Sequence, residues 1–153
     1  MNHHGILTRE DIVEAQRARQ LLIDPFTESH LQPTSYDISV SHVLDGDGRI
    51  QDFDSVEVGH LEFMNFVSEE LLAFPLDMIG HIYLRSTFAR KGIGIIHLGR
   101  IEAGWKGRLV IEVLNAKSPL IIKRGERIAT VEFIRLARPV SSPYEGKFQG
   151  FGV

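Results

Sequence analysis

"RLVIEVLN", residues 108 to 115, decides how the chain is read. In an extended segment Leu109, Ile111 and Val113 point one way, and Val110, Glu112 and Leu114 point the other. Both sets are apolar apart from Glu112, so the stretch reads as a strand buried on both faces. A carboxylate in the middle of one such face is costly to desolvate. Glu112 must therefore be paired, protonated or turned toward a wet pocket.

The same kind of text extends in both directions. "LLIDP", "YDISVSHVL", "GRIQDF", "HLEFMNF", "GHIYLR" and "GIGIIHL" precede the strand, and "PLIIKRG" and "RIATVEFIRL" follow it. Pro, Gly, Asp and Ser clusters separate these short apolar runs, which is strand punctuation. "DGDG" at 45 to 48 and "KRGER" at 123 to 127 are strong turn signals without the ligand spacing of a calcium loop. Many short strands at regular spacing predict a mainly β fold, a distorted jelly roll or barrel. One segment differs. "LTREDIVEAQRARQ" reads as a short N-terminal amphipathic helix: Thr8 caps it, Asp11 completes a capping box, and Ile12, Ala15 and Leu22 share a face.

The 153 residues carry 43% hydrophobic and 24% charged side chains, with no long linker or repeat, which suits a single domain over residues 1–153. A formal net charge of −3 offers no overall attraction to nucleic acid or anionic membranes, so an anion site must be a local basic cluster. No apolar run approaches the length of a membrane span, and "MNHHGILTRE" lacks a signal core, so the expected location is cytoplasmic. The absence of cysteine removes thiolate catalysis, disulfides and every zinc site with a Cys ligand, including that of the zinc deaminases. The seven histidines are scattered, and His3 and His4 read as a terminal tail; no protein-held metal is expected.

Three further segments carry chemistry-bearing residues. "LRSTFARKG", residues 84 to 92, gathers Arg85, Ser86, Thr87, Arg90 and Lys91, a good oxyanion cradle or else an exposed basic turn. "GRIEAGWKG", residues 99 to 107, is a Gly-rich loop that sets Glu102 near Trp105. Its glycines permit close backbone approach, and a plain hairpin loop is the alternative. "PYEGKFQG", residues 143 to 150, brings Tyr144, Lys147 and Gln149, or else forms a frayed tail.

In order, R-S-T-x-x-R, G-x-I-E-x-G-W-x-G, I-E-x-x-N and P-Y-x-G-K-F-Q-G resemble the dCTP deaminase branch of the trimeric dUTPase superfamily. The opening "LIDPFTESHLQPTSYDISV", with Q-P-x-S-x-D at 32 to 37, is similar too, so the resemblance spans about Leu7 to Gly150. It implies a dUTPase-like fold, a homotrimer with sites between subunits, and a dCTP or dUTP ligand. It also implies Mg²⁺ held mainly by the triphosphate, while charge and hydropathy predict no nucleic-acid or membrane partner. Plain dUTPases carry an apolar residue where Glu112 stands, so the resemblance makes Glu112 the proton shuttle of a zinc-independent deamination of dCTP to dUTP and ammonia. It further implies that Ser86 and Arg90 orient the water and that carboxylate, and that Arg85 and Thr87 bind phosphate. Glu102 would meet the deoxyribose, and Tyr144, Lys147 and Gln149 would close over the sugar or triphosphate.

Four positions depart from the family pattern. Glu102 replaces the usual Asp, which in dUTPases and bifunctional enzymes activates water at the α-phosphate; a shift of about 1 Å there can cost ~10²-fold. Leu84 stands for a common glycine. "HLGR" at 97 to 100 replaces the base-reading T-A-G or T-A-H, so base specificity turns on His97 and Leu98, with a pyrimidine contact or a structural role as the alternatives for His97. The sequence reads only to Val153, soon after "FQGFG", so incomplete closure over the triphosphate is expected. A dUTP pyrophosphatase or bifunctional enzyme, and a nucleotide-binding module without turnover, are the alternative functions.

Overall fold

A computed structural model describes residues 4–96 and 99–153. The chain runs β1 (Gly5–Ile6), α1 (Arg9–Arg17), β2 (Leu22–Asp24), a 3₁₀ turn (Glu28–His30), β3 (Tyr36–Leu44), β4 (Ile50–Asp52), β5 (Ser55–Val58) and β6 (Phe63–Ala73). It continues through β7 (Met78–Leu84), α2 (Ser86–Arg90), β8 (Ile93–Ile95), β9 (Arg100–Ile101), β10 (Lys106–Asn115), β11 (Leu120–Lys123) and β12 (Arg127–Arg135). The fold is mainly β, as expected. One antiparallel sheet runs β8-β10-β6-β3-β12-β7-β9, with β1, β2 and β4 added beside it, and curls into a half-barrel. β5 and β11 form a separate two-stranded sheet.

The helix α1 forms as its sequence dictates. The Thr8 hydroxyl accepts from Asp11 N at 3.3 Å, the Asp11 carboxylate accepts from Thr8 N at 2.9 Å, and Ile12 and Ala15 face the core. Leu22 does not share that face. The helix ends at Arg17, Arg19 takes a left-handed φ of 56°, and the broken period turns Leu21 inward while leaving Leu22 on β2, 37% exposed. The N-terminus is no loose tail from His4 onward: its Nδ1 lies 2.8 Å from the Leu136 carbonyl, and Gly5 and Ile6 pair with β12. Both expected turns form, with Gly48 at φ 77° and Gly125 at φ 84°.

β6 is longer than its apolar run suggests. Arg108 pairs with Leu71 and Val110 with Val67, so three residues of β6, Ser68 to Glu70, stand opposite Leu109 alone. Such a bulge leaves backbone groups without ladder partners. Here Ser68 Oγ accepts from Leu109 N at 2.8 Å and donates to the Glu70 carbonyl at 2.7 Å. The Arg108 guanidinium donates to the carbonyls of Ser68 and Glu69. With these groups satisfied, the strand runs through a Ser-Glu-Glu sequence that resembles a turn. Tyr36, Phe66 and Phe133 are among the largest fully buried side chains of the core beneath.

Candidate active site

Along β10 the side chains alternate between buried (Leu109, Ile111, Val113, Asn115) and half-buried (Arg108, Val110, Glu112, Leu114). The strand is thus not buried on both faces. Its second apolar face is the wall of a pocket, and Glu112 belongs to that wall. The pocket has a volume of about 390 Å³ and is also lined by Asn65, Arg100, Glu102, Trp105, Tyr144 and Phe148. That size and its mixture of aromatic and polar lining suit a small organic ligand. Among the described residues the Glu112 carboxylate makes no ion pair or hydrogen bond; it faces the pocket instead of a charged partner.

The loop before β10 is shaped by the C-terminal segment. Trp105 is buried and its Nε1 donates to the Phe148 carbonyl at 2.9 Å. Gly104 has φ +80°, and a Cβ on it would meet Pro143 Cβ at 2.4 Å. A Cβ on Gly107 would lie 2.7 Å from Trp105 Cζ2 and 2.9 Å from the Phe151 carbonyl oxygen. Gln149 clasps the two segments: Oε1 accepts from Lys106 N at 2.8 Å, while Nε2 donates to the carbonyls of Gly104 and Tyr144, each at 2.9 Å. The segment is therefore docked rather than frayed, and Gln149 spends its amide on holding it. Tyr144 and Phe148 face the pocket, whereas Lys147 Nζ lies 5.6 Å from the Phe148 ring centroid. Glu102 is half-exposed and pairs with Arg100 at 3.1 Å.

The second group of predicted residues sits elsewhere. Ser86, Thr87 and Arg90 lie exposed on α2, a helical turn anchored by buried Phe88, where the sequence suggested an oxyanion cradle or a basic turn but no helix. They do not line the Glu112 pocket. Arg85, just before them, turns back into the fold. Its Nε lies 3.2 Å from Asp37 Oδ2 and its Nη1 donates to the Arg127 carbonyl at 3.0 Å. Asp37 is 2% exposed and also meets Arg127 Nη1 at 3.4 Å and Gln32 Nε2 at 3.1 Å. The Q-P-T-S-Y-D stretch thus has a structural task, fixing the base of α2. Within one chain the candidates form two sets: Glu102, Glu112 and Tyr144 at the pocket, and Ser86, Thr87 and Arg90 on α2.

The most deeply buried glutamate is Glu70, which the sequence reading missed. It is 1% exposed, accepts from Ser39 N and from Ser39 Oγ at 2.9 Å, and lies 3.3 Å from His30 Nδ1. Burial raises its pKa to about 7 against the pull of these hydrogen bonds. His30 is pushed down, first by burial and then by the Arg127 charge, so the pair is held toward its neutral forms. Inward alternation of Ser68, Glu70 and Leu72 was the available signal. Asn65, opposite Glu112 on β6, was also missed. His97 and Leu98 lie outside the described residues.

A family model described as dCTP deaminase-like matches residues 49–136, more than half of the chain and all of the pocket strands β6 and β10. The chain belongs to the dCTP deaminase-like family. A dCTP deaminase of Pyrococcus furiosus is 33% identical to this dCTP deaminase-like chain over 136 residues, 86% of each. A protein of Sulfolobus islandicus rod-shaped virus 1, named a probable deoxyuridine 5'-triphosphate nucleotidohydrolase, is 33% identical over 151 residues, 94% of this chain and 92% of the viral one. Among solved structures, the 2'-deoxycytidine 5'-triphosphate deaminase from Agrobacterium tumefaciens superposes with a TM-score of 0.74 at 19% identity. That match covers 86% of this chain and 48% of the Agrobacterium chain, so the likeness shows the shared fold and the present chain spans about half of that protein's length.

Proposed function

We infer that the chain hydrolyses the 4-amino group of dCTP, giving dUTP and ammonia. The observation that carries this reading is the uncommitted carboxylate of Glu112 in the pocket wall, beside Trp105 and within a pocket shared with Glu102. Deamination at C4 requires a water O–H to be broken as its oxygen bonds to carbon, a proton on ring N3, and a second proton on the departing nitrogen. One carboxyl group serves both transfers in turn when its proton affinity suits the pH of the reaction. Glu112 takes the first water proton and passes it to N3. It then moves the remaining hydroxyl proton to the amino nitrogen, and the C4–N bond breaks with ammonia leaving.

Ser86 and Arg90 are assigned to orienting the water and the carboxylate. Their distance from the pocket within one chain is met by a homotrimer in which α2 of one subunit borders the pocket of the next. Thr87 and Arg85 bind phosphate, Arg85 with what Asp37 and the Arg127 carbonyl leave uncommitted. Glu102 meets the deoxyribose, Tyr144 the sugar, and Lys147 the triphosphate, while Gln149 acts by holding their segment in place. Among the described residues no group of three or more His, Cys, Asp or Glu side chains is positioned to hold a metal. Mg²⁺ is assigned to the triphosphate, whose charge it would neutralise. The chain works as one domain, since strands from both of its ends share the large sheet. Among the described residues no helix is long and apolar enough to cross a membrane; a substrate from the free nucleotide pool places the work in the cytoplasm.

The viral relative favours a second reading, cleavage of dUTP to dUMP and pyrophosphate, for which Glu102 would have to activate water while paired to Arg100. Incubation of the protein with dCTP or dUTP and Mg²⁺ decides between them. Ammonia with dUTP supports deamination, pyrophosphate supports the second reading, and binding without products supports a nucleotide-binding module. Glu112→Gln is expected to fold and bind nucleotide while losing ammonia release; normal turnover by that variant removes Glu112 from the mechanism.

A further inference from the structure

Leu44 of β3, Asn65 of β6 and Glu112 of β10 stand in one row across three adjacent strands, and all three line the same pocket. Side chains directly opposite each other on neighbouring strands have Cβ atoms about 4.5–5.5 Å apart. Asn65 and Glu112 are therefore within reach of one another. Asn65 Oδ1 is buried and, among the described residues, has no hydrogen-bond partner. A buried acceptor left in that condition costs free energy, so its presence calls for a donor supplied at some other stage.

Among the described residues no other polar group of the pocket donates to Oδ1, and most make their contacts elsewhere. Arg100 and Glu102 pair with each other, Arg108 donates to the carbonyls of Ser68, Glu69 and Gly152, Trp105 Nε1 donates to Phe148, and the Tyr144 hydroxyl accepts from Phe148 N. An ionised Glu112 has only acceptor atoms and offers Oδ1 nothing. A protonated Glu112 has one O–H, and Oδ1 is an acceptor in its reach.

We propose that Asn65 is a positioning residue for the deamination: its carboxamide oxygen accepts the O–H of the neutral Glu112 carboxyl. It thereby holds the acid in place between taking a proton from water and releasing it to the base. The role rests on the deaminase reading above. It creates no new bond-breaking step, since the proton enters and leaves through Glu112 alone.

Asn65→Leu keeps the volume and removes the acceptor, and Asn65→Ser keeps an acceptor. In Asn65→Leu, kcat for dCTP is expected to fall about tenfold with KM changed less than about twofold, the loss of one hydrogen bond made at one stage of the cycle. The acid limb of the kcat/KM profile should move to lower pH by about one unit, because the protonated form loses its partner. Asn65→Ser should lose less of both. A lowered kcat with an unmoved limb, or a limb moved to higher pH, overturns the proposal. A second readout needs no turnover. In ¹H–¹⁵N spectra of the nucleotide-free protein, the Asn65 side-chain amide signals should move with pH in the wild type and stay fixed in Glu112→Gln. Signals that ignore pH, or that move equally in both proteins, refute the contact. A wild type that releases no ammonia refutes the deaminase reading instead, and the spectra still decide on the contact.

Discussion

Replacing Glu70 by Gln should make the protein more stable above neutrality. Glu70 is 1% exposed, and its pKa is raised from 4.5 to about 7, chiefly by burial. Between those two values the folded chain holds a proton on Glu70 that the unfolded chain has already released. Raising the pH through that window therefore favours unfolding. At about 1.4 kcal/mol per pH unit the full effect is about 3 kcal/mol, present as stability below pH ~4.5 and lost by the time the pH has passed ~7. A glutamine carboxamide with its oxygen in the place of Oε1 still accepts from Ser39 N and Oγ, with His30 Nδ1 3.3 Å from that position. It has no charge to desolvate. His30, with its pKa lowered by burial and by Arg127, contributes the opposite slope below its ordinary value near 6.5. Its contribution largely cancels when the two proteins are compared at the same pH. Urea unfolding at pH 5, 6, 7 and 8, at one fixed protein concentration, reads the difference. Glu70→Gln should exceed the wild type by less than about 1 kcal/mol at pH 5 and by up to about 3 kcal/mol at pH 8. A variant weaker than the wild type at pH 8 would show that the carboxylate is favourably ionised in the fold, and the reasoning fails.

Gly107→Ala should lift the C-terminal segment off β10, because its Cβ would lie 2.7 Å from Trp105 Cζ2 and 2.9 Å from the Phe151 carbonyl oxygen. A loss of about 1–3 kcal/mol and faster tryptic cleavage after Lys147 are expected, and unchanged protease resistance would contradict the packing. Glu102→Gln should alter stability by less than about 1 kcal/mol, since its pair with Arg100 is solvent-exposed. The same variant should raise KM for dCTP several-fold if the carboxylate meets the deoxyribose; an unchanged KM removes Glu102 from the sugar site.

The β class, the capping box of α1 and the strand at 36–44 were legible because each follows from local periodicity or from one short motif. Glu112 was legible as a carboxylate that required an explanation, and its pocket supplied one. What escaped the sequence was long-range. The burial of Glu70 depends on Ser39, 31 residues away, and on a bulge that no pattern of apolar residues announces. α2 is five residues long and is fixed by the Arg85–Asp37 pair rather than by helix propensity, so no periodic signal could build up. The family resemblance places Gln149 at the ligand, and only its contacts with Gly104, Tyr144 and Lys106 reveal the clasp. Asn65 gave no sign, since its meaning comes entirely from which residue stands opposite.

The surplus residues of β6 between Val67 and Leu71 make that spot sensitive to length far more than to chemistry. A side-chain change there disturbs one or two bonds. Deleting a single residue forces the strand to rotate by one step on one side of the gap, and with a period of two every side chain on that side changes face. Either Asn65 then points away from Glu112, or Leu72 is driven out of the interior and Leu71 into it.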